Sequence, residues 1–331
     1  MTEPFDLAAL AADLGSSRGV AHKADIAAAC ARLGLGGDGE VPVGDDCAAI
    51  PDGDGHLLLA IEGFMNEFVA ADPWFAGWCG VMVNISDVLA MGGRPIAVVD
   101  AVWSDGEDAA LPVLDGLRAA AEAFGVPLVG GHTNSRSGQR QLSVAILGRA
   151  KALLTSFDAR PGDRLVAAID LAGRYREPFD NFEAATTATP ARLRAAMAVL
   201  PDIAEAGLSR AAKDISQAGL VGTAMMLCEC SAVGAVIDVD AVPRPHGVPM
   251  LRWLKTFPSF GFILAVAPDN VAAVIARFAG AGITAADVGT VTAERRVDIT
   301  AGGRCVTVRD LAREPLLGCA PTPSALGEAA E

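Results

Sequence analysis

The stretch from Trp74 to Pro95 constrains this chain more than any other. Between Ala76 and Met91 it is apolar nearly all the way round, so the spacing predicts a helix buried on every side. Only two strongly polar groups interrupt it. Asn84 and Asp87 stand three residues apart and share one face about a turn long. A carboxylate on a buried helix must find a cation, a metal or several donors, so Asp87 is either a metal ligand or a structural residue capping a neighbouring loop. Gly92-Gly93, with Pro95 beyond, ends the helix.

A length of 331 residues exceeds one ordinary domain and predicts two of about 150. The net charge of −14 argues against nucleic acid and anionic membrane as partners, since both require a basic surface. It suits carboxylates gathered around divalent cations. No run approaches the roughly 18 apolar residues of a membrane span. The first residues lack a basic segment followed by an apolar core, so no signal peptide is expected. Seven cysteines without a Cys-x-x-Cys fit reduced thiols. A cytoplasmic protein is expected.

Helical spacing recurs over Phe5–Leu14 and Lys23–Leu33. The glycine loop at 34–39, which includes Gly36 and Gly37, formally contains G-x-G-x-x-G. A helix precedes it and Pro42 follows where a helix should begin, which excludes a dinucleotide site and leaves a loop able to fold over a phosphate chain. Gly44-Asp45-Asp46 joins two short apolar runs, and a turn there could aim both carboxylates at one cation; water-rich oxygen coordination is what Mg2+ prefers. The alternative is a solvated turn. Asp52-Gly53-Asp54-Gly55 reads as a hairpin turn. The strand His56–Ile61 delivers Glu62-Gly63, Pro95–Trp103 forms another strand with Asp100 within it, and Leu111–Phe124 a helix. Gly130-Gly131-His132-Thr133 follows at a strand end, where glycines let a ligand approach the backbone. Gln141–Leu147 is a further strand.

In order and approximate spacing, Gly44-Asp45-Asp46, Glu62-Gly63, Asn84 to Pro95 and Gly130-Gly131-His132-Thr133 resemble the aminoimidazole ribonucleotide synthetase superfamily. That superfamily includes thiamine-monophosphate kinase and selenophosphate synthetase. The resemblance covers nearly the whole chain. It implies a two-domain α/β (α+β) fold of the PurM-like type. Residues 1–150 would form a mixed-sheet domain that binds Mg-ATP and dimerises, 151–320 an α/β sandwich, and 321–331 a flexible tail.

The second half carries the same likeness. Arg160–Val166 resembles the turn and strand opening the family's second domain. Asp214-Ile215-Ser216-Gln217-Ala218-Gly219-Leu220 resembles its acidic, serine and glycine signature. Ser216 or Asp214 could cap the helix expected from Val221 to about Cys230, whose free N–H groups would suit an anion. Gly261–Asn270 resembles the family's late strand, and a helix at Val271–Ala279 follows. The cluster Arg174, Tyr175, Arg176 to Asn181 and Phe182 could grip a substrate or be an ordinary loop.

By this resemblance Asp45, Asp46, Glu62 and Asp87 would hold Mg2+, and Asn84, Asp87 and Asp214 would serve the chemistry. Gly36, Gly37, Gly44, Gly130, Gly131, His132 and Thr133 would border ATP, and Arg174, Arg176, Asn181 and Ser216 the second substrate. The implied activity is phosphoryl transfer to an oxygen of a small metabolite by a homodimer, closest to thiamine-monophosphate kinase. Two other activities stay open: ATP-dependent activation of an amide or carbonyl oxygen, and nucleotide binding without turnover. Glu62 and His132 stand where the kinase has aspartates. Gln217 replaces an acidic residue, so the acceptor is this chain's own.

Overall fold

The computed structural model describes residues 6–35 and 42–318. Gly36, Gly37 and the tail 321–331 lie outside the described residues. Two compact units form, with one boundary between Leu153 and Leu154 near the expected division and two segments exchanged across it. Asp46–Leu153 and Thr187–Ala206 make the first unit; the segment before Asp46, Leu154–Thr186 and the chain from Gly207 make the second. The reason is apolar burial. Leu7, Leu10 and Leu14, on one face of the helix Leu7–Gly15, are buried in the core of the second unit.

The first unit is a five-stranded sheet of β1 (Ala48–Asp52), β2 (Gly55–Gly63), β3 (Arg94–Asp105), β4 (Leu128–Asn134) and β5 (Arg136–Ala150), in the order β1-β2-β5-β3-β4. Every pairing is antiparallel except β3 with β4. The hairpin expected at Asp52–Gly55 joins β1 to β2, with Gly53 at a φ of 63°. Alternation sends Leu58, Val98, Val102, Val144 and Ile146 to a buried inner face. Two helices cover it, Pro73–Ala90 and Glu107–Phe124. The first is the central helix expected from sequence, and it starts earlier than Ala76 because Asp72 accepts a hydrogen bond from the Phe75 N–H and Pro73 fills the first turn. The short helices Pro190–Met197 and Val199–Glu205 belong here too, and Arg94 pairs with Asp202 at 2.8 Å and with Glu205.

The second unit holds β6 (Arg164–Ile169), β7 (Arg174–Tyr175), β8 (Asn181–Glu183), β9 (Ala211–Asp214) and β10 (Gly234–Asp238). It continues with β11 (Phe257–Pro258), β12 (Gly261–Val266), β13 (Thr284–Thr292), β14 (Arg296–Ala301) and β15 (Arg304–Asp310). Seven strands form a mixed sheet in the order β15-β14-β10-β13-β6-β12-β9, and β11-β8-β7 form a small one. The helix Gly219–Cys230 is buried along its whole length. Its Glu229 carboxylate accepts the N–H groups of Leu316, Leu317 (2.9 Å) and Gly318 (2.6 Å), which ties down the last described residues. The helix Val271–Gly280 follows β12 as expected.

Candidate functional site

The central helix brings its polar residues to one place. Asn84 is fully buried, its Nδ2 donates to the Gly80 carbonyl at 2.8 Å, and among the described residues its Oδ1 meets no donor. Asp87, one turn on, is 5% exposed. A carboxylate oxygen of Asp87 and one of Asp46 lie within 4.8 Å of each other. Two oxygens bound to one Mg2+ at about 2.1 Å sit at most about 4.2 Å apart, with waters filling the remaining positions. The Asp46–Asp87 spacing therefore fits a hydrated magnesium ion after little movement. The orphaned Asn84 acceptor fits the same chemistry, because a metal-bound water supplies the donor it lacks.

The other acidic residues named from sequence have different surroundings. Asp45 belongs to the second unit, where Ser156 donates to it twice, through N–H at 2.7 Å and Oγ at 2.6 Å. Ser156 is fully buried, and its carbonyl accepts the Ser231 hydroxyl at 2.8 Å. Asp45 is thus engaged as an anchor of its turn. Glu62 is half-buried near the end of β2 opposite Val144, and does not share the close spacing with both Asp46 and Asp87. Gly44, with a φ of 126°, lets the turn bend ahead of both aspartates.

Gly130, Gly131, His132 and Thr133 lie inside β4, not beyond a strand end as sequence suggested. The strand starts after Pro127, and among the described residues it is an exposed edge paired only to β3. A Cβ on Gly130 would meet nothing within 4 Å, whereas one on Gly131 would fall 2.3 Å from Asp100 Oδ1. Asp100 is 8% exposed, and burial pushes its carboxyl pKa up. The His132 ring lies 5.9 Å from that of Trp103 at 48°. Neither the Asp100–Gly131 packing nor the Trp103–His132 pair was read from sequence. The alternation of β3 was the available signal, since it puts 100 and 103 on opposite faces.

In the second unit Asp214 is buried at the end of β9, and its carbonyl accepts the Thr223 hydroxyl at 3.3 Å. Neither Asp214 nor Ser216 caps the next helix. That helix begins at Gly219, two residues before the expected start, with Ala218 at the cap position and no side-chain cap bond. Gly219 takes a φ of 67° there because a side chain would strike the Leu254 carbonyl. Ser216 instead accepts the Gly219 N–H through its carbonyl at 2.9 Å. Arg174 lies on β7 and Asn181 on β8, and the Arg176 N–H donates to the Asn181 carbonyl at 2.9 Å. Arg252, not singled out before, is the cation of this region. It stacks 3.6 Å over the Tyr175 ring and pairs with Glu177 at 2.9 Å and Asp180 at 3.3 Å, so the loop's own acids occupy it.

Among the described residues no helix is long and apolar enough to cross a membrane. Protein comparisons give concordant results. The chain is 47% identical over 312 residues to uncharacterized protein sll0787 of Synechocystis, covering 92% of this chain and 96% of that one. It is 37% identical to uncharacterized protein MJ0640 of Methanocaldococcus jannaschii over 84% of this chain and 87% of that one. Thiamine-monophosphate kinase of Halobacterium salinarum is 28% identical over 76% of this chain and 88% of the kinase. Thermotoga maritima PurL complexed with AMPPCP shares the fold with a TM-score of 0.72 at 20% identity, over 96% of this chain and 52% of that one. The chain thus spans about half the length of that PurL. The structure described as AaThiL complexed with AMPPCP and TMP gives 0.63 at 20%, over 85% and 94%. Family models match residues 44–150 as the N-terminal domain and 165–313 as the C-terminal domain of AIR synthase related proteins, and the chain belongs to that family.

Proposed function

We propose that this protein is a cytoplasmic, homodimeric, ATP- and Mg2+-dependent phosphotransferase that delivers a phosphoryl group to an oxygen of a small metabolite. The observation that carries this reading is the close pair of the half-buried Asp46 and the buried Asp87 carboxylates, with Asn84 Oδ1, one turn from Asp87, meeting no donor among the described residues. Bound magnesium would neutralise charge on the transferring phosphoryl group and align it, which is most of what this reaction asks of a protein. Asp46 and Asp87 would hold the ion, and Asn84 would orient its waters. Asp214 is proposed as a further carboxylate of the reaction on the strength of its sequence motif. The kinase relative and the likeness to a nucleotide-bound AaThiL structure support a nucleotide as donor.

The outer face of the first sheet supports a homodimer. Ile50, Leu59, Ile61, Val99 and Leu147 are each at least 36% exposed, and the strand registers put Leu59 beside Leu147 and Ala145 between Ile61 and Val99. A continuous apolar sheet face of this kind marks an interface. Strand order adds a second reason. β4 is four steps from β1, about 19 Å along the sheet, so Gly130–Thr133 and Asp46 of one chain stand at opposite edges. A second copy, bringing its β4 to the first copy's Asp46 and Asp87, would complete one nucleotide site.

Release of ADP from ATP, with and without phosphate-bearing heterocycles and amides as acceptors, tests the reading. Asp87→Asn is expected to abolish Mg2+-dependent turnover while leaving the fold intact. Full turnover in that variant would refute the assignment. Amide or carbonyl acceptors that stimulate release without becoming stable phosphoesters would favour a synthetase instead.

A further inference from the structure

On the outward face of the first unit's sheet, Trp103 forms an aromatic pair with His132. β3 and β4 run parallel, and their registers put Val99 beside Gly130, Ala101 beside His132 and Trp103 beside Asn134. Residues paired this way share a face, so Gly130, His132 and Trp103 all belong to the outward face of the sheet. Trp103 is half-buried and His132 exposed, with ring centroids 5.9 Å apart at a 48° tilt. The pair continues, at the β4 edge, the sheet face proposed as the interface with a second copy. Ala101 stands between them along β3, Ser143 is its partner on β5, and Gln141 is the partner of Trp103. Gly130, one alternate position before His132, offers open space where a side chain would be.

The combination is specific in its chemistry. Two tilted π-systems offer a planar ring a stacking surface. Ser143, Gln141 and Asn134 provide hydroxyl and amide groups beside it for ring nitrogens and exocyclic substituents. Gly130 lets an anionic group approach the backbone about 7 Å further along the strand, two residues at about 3.3 Å each. A ligand matching both ends carries a planar aromatic heterocycle joined to phosphate through a short linker.

We propose that Trp103 and His132 form the stacking subsite for a heteroaromatic ring carried by a phosphate-bearing ligand of this protein. The proposal rests on the phosphotransferase reading and names what that site recognises. The ring comes from one of two sources, the nucleotide's base or the acceptor's own heterocycle.

The test is equilibrium binding to the full chain with Mg2+, using two ring-bearing probes beside ring-free counterparts. A nonhydrolysable ATP analogue is compared with tripolyphosphate, and thiamine monophosphate with inorganic phosphate. Wild type, Trp103→Leu and Trp103→Phe are measured, with thermal melts and sedimentation on each. The expected result is a loss of about tenfold or more for one ring-bearing probe in Trp103→Leu, recovered in Trp103→Phe, with its ring-free counterpart unchanged. Loss confined to the ATP analogue assigns the base, and loss confined to thiamine monophosphate assigns the acceptor. The proposal is overturned if both ring-bearing probes keep their affinity, if ring-free probes weaken equally, or if neither ring-bearing probe binds wild type. It is also overturned if Trp103→Leu dissociates a wild-type dimer, which makes the indole an interface residue. Failure of the parent reading is a different result: wild type then binds the ATP analogue no better with Mg2+ than without, or Asp87→Asn binds it equally well.

Discussion

Two adjacent aspartates in one turn carry different tasks, and the difference is energetic. Asp45 takes two donors from a fully buried serine, and removing the hydroxyl deletes one of these two bonds. Ser156→Ala is expected to cost about 1–3 kcal/mol in urea unfolding. Asp46→Asn is expected to change stability little and to raise the Mg2+ concentration needed for turnover. Equal unfolding midpoints for Ser156→Ala and wild type would remove the anchoring role of Asp45. Asp100 gives a prediction in pH. Burial raises its folded carboxyl pKa above the ordinary 3.8, so the folded state binds the proton more readily than the unfolded chain. Its contribution is then complete below 3.8 and is lost as pH rises through the folded value. Asp100→Asn should therefore gain in melting temperature over wild type at pH 7 and gain nothing at pH 3, as thermal melts at the two values would show. The sequence exposed which residue types matter at this scale, because a carboxylate on an apolar helix and paired aspartates after glycine stand out locally. It could not tell anchor from ligand, since Ser156 is 111 residues from Asp45.

At the scale of elements, the central helix does more than carry Asp87: it packs unusually close to its neighbour. A Cβ at Gly77 would lie 2.1 Å from the Val113 carbonyl oxygen, and one at Gly116 only 1.9 Å from that of Trp74. The two helices thus meet backbone to backbone through reciprocal glycines, and neither contact can be relieved by turning a side chain. Gly116→Ala is expected to destabilise by about 1–3 kcal/mol through forced separation of the helices. That shift would also move Asn84 and Asp87 relative to Asp46, so Mg2+ activation should weaken in the same variant. An unfolding midpoint equal to wild type in denaturant would show that the helices have room to spare. Periodicity made the helices and most strands legible, because a run apolar on all sides or on alternate residues fixes the element type. It misplaced the glycines of β4, which read as a strand end although an edge strand tolerates them. It also missed the glycine contacts of the two helices, since a glycine in an apolar run says nothing about which backbone it touches.

At the scale of the whole molecule, the expected fold and family were legible because ordered motifs spread along the chain carry them. The membership of the N-terminal helix was not, since Leu7–Gly15 joins the later core by burying Leu7, Leu10 and Leu14 there. Whether a second copy completes the proposed site is equally invisible to sequence, because β1 and β4 read alike whichever chain they serve. The five-strand order turns that question into an experiment. Charging the outer face, as in Ile61→Lys, is expected to yield folded monomers without turnover, since Ile61 is 69% exposed and little packing within its own unit is lost. Sedimentation and ADP release on the same sample read both properties. Mixing gives the sharper arm. Asp87→Asn and Gly130→Leu homodimers should each be inactive, but a dimer with one copy of each pairs an intact Asp87 with an intact Gly130 at one of its two sites. Random exchange of subunits would then restore about a quarter of wild-type turnover. If both groups served the same site from one chain, every site in the mixture would carry a defect and nothing would be restored, so the mixing result separates a site shared between copies from one built within a single chain.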